Sequence, residues 1–194
     1  LENSIATHFI NAGLPYLLGR HFGAQLIHLS TDCVFDGLSG APYTEVSPVN
    51  PTCLYGFTRS LGEPFEHSLV IRTSTIGPEI HNSDSLIAWV KKQKGRTIKG
   101  FTRHLWNGIT TKQFAKSIEQ IVCRRDQYPE RGLFHIFSSD VSKFDMVTAI
   151  AKKYQVNVAI KPDNSQSIDR RLRTINRLNE QLHIPSFTDM ISDL

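Results

Sequence analysis

Two short apolar runs constrain the fold of this chain more than any other feature of its sequence. Residues 25–30 (QLIHLS) and 69–72 (LVIR) are brief, continuous and apolar, which is typical of strands buried on both faces of a parallel sheet. Between them, residues 31–49 are rich in Gly, Pro, Ser and Asp and predict a loop. The alternation of strands with loops and helices predicts an α/β fold built on a parallel sheet.

Helices are predicted on either side of the first apolar run. Residues 4–21 place apolar side chains at helical spacing, and Pro15 indicates a kink or a break within that helix. A second helix is predicted to start with Pro51 at its first position and to run towards Glu66.

The character of the sequence changes near Gly77 and Pro78, where we place a soft domain boundary. Beyond it, helices are predicted over residues 85–94, 111–125 and 142–154, strands over 133–137 and 156–160, and a tail from 168 that is helical in pieces and broken at Pro185. Ser142 is the expected cap of the third of these helices.

Composition excludes several classes of protein. No apolar run approaches the roughly 18 residues that would predict a membrane span. The net charge is +4, and although basic residues gather in residues 91–104, no recognition motif accompanies them, so no nucleic-acid partner is expected. Cys33, Cys53 and Cys123 form no CxxC pattern, which argues against a disulfide framework or a zinc site and fits a reducing cytoplasm.

One segment, residues 29–63, carries residues with evident chemistry. Ser30 and Thr31 follow the first apolar run directly, so they are expected at the carboxyl end of a strand, where ligands bind in open α/β sheets. Tyr55 and Arg59 are four residues apart, on one helical face. A threonine hydroxyl can orient a carbonyl oxygen, and a tyrosine can give it a proton, provided that a cation offsets the tyrosine's ordinary pKa of about 10. The set predicts acid-assisted reduction of a carbonyl by hydride from a separate donor.

Several short motifs lie in and just after this segment. They are Ser30-Thr31-Asp32, Val34-Phe35-Asp36-Gly37, Tyr43-Thr44-Glu45, Tyr55 with Arg59, Leu61-Gly62-Glu63, residues 70–74 (VIRTS) and Trp106-Asn107-Gly108. Together they resemble the dTDP-4-dehydrorhamnose reductase group of extended short-chain dehydrogenases/reductases, and the last motif resembles a subset from bacterial surface-polysaccharide pathways. The resemblance is strongest over residues 25–111 and loose beyond Arg125.

The resemblance implies a Rossmann-like parallel sheet, with residues 1–78 as the second half of an NAD(P)-binding domain and residues 79–194 mainly as a smaller α/β substrate-binding domain. It implies NADPH- or NADH-dependent reduction of a nucleotide-linked 4-keto-6-deoxy sugar in cytoplasmic polysaccharide-sugar biosynthesis. The residues implied are Thr31, Tyr55 and Arg59 for catalysis; Ser30, Tyr55, Arg59, Arg72, Thr73 and Ser74 for the cofactor; and Asp32, Cys33, Trp106 and Asn107 for the substrate. Basic residues after Lys91 would meet the substrate's diphosphate. No metal is expected, and a homodimer is left open.

Two residues depart from the pattern of this group. Arg59 replaces a lysine; it keeps the charge but effectively never releases its proton, so a proton relay through it would be impaired. Cys33 follows Ser-Thr-Asp where tyrosine is frequent, which would alter contact with the substrate but not the proton donor.

The glycine-rich turn that would hold a cofactor pyrophosphate is missing from this sequence. None of the 12 glycines forms a GxxGxxG pattern, and the sequence begins at Leu1 without an initiator methionine. We therefore expect roughly 70–90 residues, the first βαβαβ half of the nucleotide fold, to precede Leu1.

Alternative functions stay open. A sugar-nucleotide epimerase or dehydratase of the same superfamily would need further acid or base residues beside the tyrosine, and none is clearly placed. A non-catalytic relative that binds nucleotide or acts as a regulatory subunit is kept open by Arg59. His28 and His135 show no metal-ligand spacing and are predicted to be core residues.

Overall fold

The computed structural model describes residues 4–79 and 85–194, which form three β-sheets flanked by helices. The strands are β1 (Ile27–Thr31), β2 (Leu69–Thr73), β3 (Thr75–Ile76), β4 (Thr97–Trp106), β5 (Ile109–Thr110), β6 (Gly132–His135), β7 (Val141–Ser142) and β8 (Ala159–Asp169). The α-helices are α1 (Ser4–His8), α2 (Leu14–Phe22), α3 (Leu54–Leu61), α4 (Leu86–Lys91), α5 (Thr111–Cys123), α6 (Lys143–Lys153), α7 (Leu178–Gln181) and α8 (Phe187–Ser192). Within the described ranges, no helix has both the length and the apolar content needed to cross a bilayer.

The first sheet is parallel and has the order β1-β2-β6. All five residues of β2 are buried, as its apolar run predicted. Ile27 pairs with Leu69 and Thr31 with Thr73, so β1 and β2 end at the same edge of the sheet. Strand β6 lies beyond the predicted domain boundary yet adds to the far edge of β2. That boundary stays a prediction.

A second sheet, in the order β7-β4-β8, packs against α6. Gly100 on β4 permits close contact, because a Cβ atom there would lie 2.7 Å from the Phe144 ring. Helix α6 begins at the predicted cap: Ser142 accepts a hydrogen bond from the Asp145 N–H, and the Asp145 carboxylate accepts one from the Ser142 N–H. This capping box satisfies two backbone donors that a helix start otherwise leaves open.

The backbone is helical without a break from Ser4 to Phe22, and the irregularity in it is a π-helical turn, Phe9–Gly13, between α1 and α2, just before Pro15. The Leu14 N–H donates to the Phe9 carbonyl five residues back. Proline lacks an N–H, so a helix interior accommodates it poorly, and the widened π-helical turn lies directly before Pro15.

The predicted start of the next helix was wrong. Pro51 lies outside α3, and the helix begins after Cys53, whose side chain accepts a hydrogen bond from the Gly56 N–H. It ends at Leu61, before Gly62 and Pro64, short of the predicted end at Glu66. The strand predicted over residues 156–160 also differs, since β8 runs from Ala159 to Asp169.

Candidate active site

An open cleft of about 570 Å³ lies where β1 and β2 end. It is lined by His28, Leu29, Ser30, Thr31, Asp32, Cys33, Tyr55, Arg59, Thr73, Ser74 and Thr75. The register of the sheet puts Thr31 beside Thr73, and α3 supplies Tyr55 and Arg59. The three residues predicted to carry catalysis therefore meet in one cleft, although their catalytic roles stay predictions.

Close packing at Gly56 holds α3 against the end of β1. A Cβ atom at this position would lie 2.1 Å from the Cys33 carbonyl oxygen. Because Tyr55 directly precedes Gly56, the same contact holds the backbone of Tyr55 near the turn that begins at Thr31, and its side chain lines the cleft. The absence of a side chain at Gly56 thus allows the short distance between α3 and the turn that contains Cys33.

Replacing Gly56 with alanine is expected to push α3 away from this turn. The new methyl group would meet backbone atoms that cannot rotate aside, and overpacking of this kind costs about 1–3 kcal/mol. Urea unfolding of the variant measures the loss. Gly13→Ala is the matched control, because its Cβ would meet only the Phe9 ring at 3.4 Å. A Gly56→Ala protein as stable as the parent would contradict the packing described.

The Thr31 hydroxyl is held in place by its own turn. It accepts a hydrogen bond from the Cys33 N–H at 3.1 Å and donates to Asp32 Oδ1 at 3.3 Å. Asp32 is buried, and that burial raises the pKa of its carboxyl group, while the Arg170 charge opposes the rise. Thr31 is therefore an oriented hydroxyl on the wall of the cleft.

His28 lines the cleft and is not simply the core residue that the sequence predicted. Burial, and then the Arg59 charge, lower its pKa to about 4, so the imidazole is neutral near pH 7. Its Nε2 atom, Arg59 Nε and Thr73 Oγ1 are buried and find no hydrogen-bond partner among residues 4–79 and 85–194. Since buried polar groups are normally paired, three such atoms around one cleft indicate a polar ligand. The alternation of strand side chains, which puts His28 on the face of Ser30, was the available signal.

Arg72 lies behind the cleft and does not line it. Its Nε and Nη2 atoms donate to the two carboxylate oxygens of Glu63 at 2.8 and 2.6 Å. Ser30 Oγ donates to the same carboxylate at 2.5 Å. Glu63 and Arg72 are 3% and 4% exposed, so this buried ion pair ties the segment after α3 to the ends of both strands.

A second cavity of about 280 Å³ adjoins the cleft and shares Asp32, Cys33, Ser74 and Thr75 with it. Trp106, predicted to contact substrate, lines this cavity. Asn107, predicted with it, does not: its amide pairs with both backbone groups of Leu172, each at 2.9 Å.

Three basic side chains line the second cavity: His104, Lys143 and Arg170. The sequence analysis did not single out Lys143 or Arg170. Of the basic stretch predicted to meet a diphosphate, His104 is the residue placed here. Lys91 instead lies over the Tyr154 ring, 3.7 Å from its centroid. His104 lies on β4, Lys143 on α6, and Arg170 directly after β8. No short sequence motif therefore contains all three.

The chain is similar to a known protein family and to several individual proteins. The family described as RmlD substrate binding domain matches residues 10–176. The spore coat polysaccharide biosynthesis protein SpsK of Bacillus subtilis (strain 168) is 28% identical over 166 residues, covering 82% of this chain and 57% of that protein. A dTDP-4-dehydrorhamnose reductase of Aggregatibacter actinomycetemcomitans is 29% identical over 164 residues, covering 77% and 54%. Methionine adenosyltransferase 2 subunit beta of Xenopus tropicalis is 30% identical over 145 residues, covering 69% and 43%.

The chain spans about half the length of these curated relatives. Among solved structures, a dTDP-4-dehydrorhamnose reductase of Bacillus anthracis str. Ames in complex with NADP superposes with a TM-score of 0.73 at 19% identity, over 94% of this chain and 70% of that one. That likeness confirms the predicted Rossmann-like α/β fold. Since the family match covers most of the sequence, the chain belongs to the RmlD substrate binding domain family, in agreement with the resemblance in its motifs.

Proposed function

We propose that the complete protein reduces a nucleotide-linked 4-keto-6-deoxy sugar with NADPH or NADH, in the manner of a dTDP-4-dehydrorhamnose reductase. The observation that carries this proposal is the meeting of Thr31, Tyr55 and Arg59 in one cleft, where three buried polar atoms find no hydrogen-bond partner among the residues that the structure describes. Similarity to a curated reductase of this kind and to a spore coat polysaccharide protein supports the substrate class and a role in surface-polysaccharide synthesis.

A bound nicotinamide cofactor would supply the hydride that reduces the carbonyl carbon. The residues suited to holding its reactive end are His28, Arg59 and Thr73, whose buried polar atoms on the cleft wall have no hydrogen-bond partner within the described ranges. Ser74 also lines the cleft and adds a hydroxyl group, whereas the Ser30 hydroxyl, on the same wall, donates to Glu63. The NADP of the Bacillus anthracis structure supports a cofactor of this class.

The chain's own residues complete the reduction. The oriented Thr31 hydroxyl positions the carbonyl oxygen, and Tyr55 gives that oxygen its phenolic proton, so that the ketone becomes an alcohol. The fixed positive charge of Arg59, one helical turn along, stabilises the phenolate left on Tyr55. Arg72 acts from behind the cleft by holding Glu63 and Ser30 in place.

Arg59 also favours a second candidate, a non-catalytic subunit that keeps the fold. Similarity to methionine adenosyltransferase 2 subunit beta supports this alternative. Arginine does not release a proton, so an ancestral relay through lysine would be lost while nucleotide binding persisted.

Substitution at Arg59 separates the two candidates. Turnover is followed in the complete protein as oxidation of NADPH with a dTDP-4-keto-6-deoxy sugar. A reductase is expected to stay active as Arg59→Lys, which keeps the charge, and to lose roughly 10²–10³ in kcat as Arg59→Met, which removes it. A parent protein that binds NADPH without turnover, with activity appearing only in Arg59→Lys, would identify the subunit instead.

A further inference from the structure

The second cavity brings groups that can transfer protons next to the cleft. It adjoins the cleft through two shared segments, residues 32–33 and 74–75. Its lining also includes Lys143, from the start of α6, and His104, from β4. The proposed reduction uses neither residue, although amines and imidazoles both take up and release protons.

Lys143 lies where an ammonium ion is disfavoured. It is half-buried, and burial lowers the pKa of its amine, an effect that the Asp32 charge only partly offsets. It is also the first residue of α6, a helix of 11 residues whose amino end carries partial positive charge. A lysine in such surroundings loses its proton more readily than an exposed lysine and can then act as a base.

His104 lies near Lys143 on the wall of the same cavity. Burial, and then the charges of Lys143 and Arg170, lower the pKa of its imidazole from the ordinary 6.5, so the ring is neutral at pH 7. A neutral imidazole can hydrogen-bond to a sugar hydroxyl without adding a charge to the cavity. Two basic groups with lowered pKa values in one cavity are typical of a site of proton transfer.

The adjoining cleft is suited to the intermediate that removal of a proton would create. In the proposed reduction, Thr31 and Tyr55 act on the keto oxygen as negative charge develops there. Removal of a proton from a carbon next to the keto carbon places the same charge on the same oxygen, as an enolate. In a 4-keto sugar these carbons are C3 and C5. A ring with its C4 carbonyl at Thr31 and Tyr55 would extend across the shared segments and bring one of these carbons towards Lys143.

We propose that the complete protein also exchanges a proton at a carbon next to the keto group of its substrate, with Lys143 as the base. The proposal rests on the substrate class proposed above, and it adds an activity that needs no hydride donor.

The exchange consists of two proton transfers. The neutral Lys143 amine takes the proton, and the electron pair of the broken C–H bond forms the C=C bond of the enolate. The negative charge moves to the keto oxygen, where Thr31 and Tyr55 donate hydrogen bonds to it. The Lys143 ammonium exchanges its protons with water and returns one to the same carbon, which restores the ketone. No oxidant or reductant is consumed.

Proton NMR in D2O tests the proposal on the complete protein, with a dTDP-4-keto-6-deoxy sugar and NADP+, which fills the cofactor site without donating hydride. The parent is expected to replace the C3 or C5 hydrogen with deuterium faster than a protein-free sample does. Lys143→Met and Lys143→Arg are each expected to lower the exchange rate by roughly 10²–10⁴, the contribution typical of a positioned base. Lys152→Met is the matched control, because Lys152 is an exposed lysine on the same helix.

The arginine variant separates a base from a fixed charge. Arginine keeps the positive charge of residue 143 but effectively never releases its proton. Loss of exchange in Lys143→Arg, with thymidine diphosphate still bound in a calorimetric titration, is therefore the expected result. Exchange at the parental rate in Lys143→Arg or Lys143→Met, each folded like the parent, would overturn Lys143 as the base.

Oxidation of NADPH with the same sugar separates this proposal from the function on which it rests. A parent protein that reduces the keto sugar, with exchange no faster than in the protein-free sample, would overturn the proposed exchange and leave the reductase intact. Exchange that depends on Lys143, in a protein that reduces no keto sugar, would support the exchange and reject the reductase. A protein that does neither would reject both.

Discussion

Replacement of Tyr55 by phenylalanine is expected to lower kcat for keto-sugar reduction by roughly 10²–10⁴, the contribution typical of a positioned general acid. The ring is retained, so the shape of the cleft and the packing of α3 through Gly56 should persist. Only the proton that would pass to the carbonyl oxygen is removed. The expected change is therefore in kcat, with cofactor binding preserved.

The measurement is steady-state oxidation of NADPH by the complete protein, with cofactor affinity determined separately by fluorescence. Tyr16→Phe is the matched control, because Tyr16 is a half-exposed tyrosine on α2, outside the residues that line the cleft. Equal kcat in the Tyr55→Phe and Tyr16→Phe proteins would remove Tyr55 from the mechanism.

Replacement of Glu63 by glutamine is expected to lower the free energy of unfolding by about 3–5 kcal/mol. The change keeps the volume of the side chain but leaves the Arg72 guanidinium buried without its counter-charge. Arg72 Nη1 already lacks a partner among the described residues, so the guanidinium has little means of compensation. Its other charged neighbour is aromatic rather than anionic, with the guanidinium carbon 5.2 Å from the centre of the Phe35 ring.

Urea unfolding measures this loss as a lower midpoint at constant slope. The double variant Glu63→Gln with Arg72→Met should regain part of the stability, because it removes both charges together. Glu180→Gln is the control: its ion pair with Arg177 is 3.7 Å long and largely exposed, so a change within about 1 kcal/mol is expected. A Glu63→Gln effect no larger than this would mean that the buried pair contributes little.

Much of the first sheet could be predicted because its determinants are local. The apolar runs that form β1 and β2 are continuous in sequence, and Ser142 predicts the start of α6 because serine is a favoured N-cap residue. The start of α3 was missed because its cap is Cys53, a residue type that is seldom a helix cap. Strand β8 was cut short in the prediction because its second half is polar; it is an edge strand paired only with β4 in the described sheet, and such a position tolerates Pro162.

The candidate site also has residues that local sequence could predict and residues that it could not. Thr31, Tyr55 and Arg59 lie within residues 29–63, where a predicted strand end, helical spacing and the resemblance to a known family indicated them together. His104, Lys143 and Arg170 meet only through tertiary folding, and no periodicity in the sequence relates them. His28 was assigned to the core because a continuous apolar run predicts a strand buried on both faces, whereas His28 is only half-buried, on the face that it shares with Ser30.

The return of β6 to the first sheet bears on the order in which the chain can fold. Leu69 on β2 pairs with Gly132 on β6, more than sixty residues further along. Closing so long a loop is unfavourable until the native contacts form, which slows folding of sheets with distant pairings. During synthesis, the edge of β2 that pairs with β6 stays unpaired until β4, the central strand of the second sheet, has already emerged. The segment that contains β4 is therefore made before the strand that completes the first sheet, and the two parts are expected to mature together.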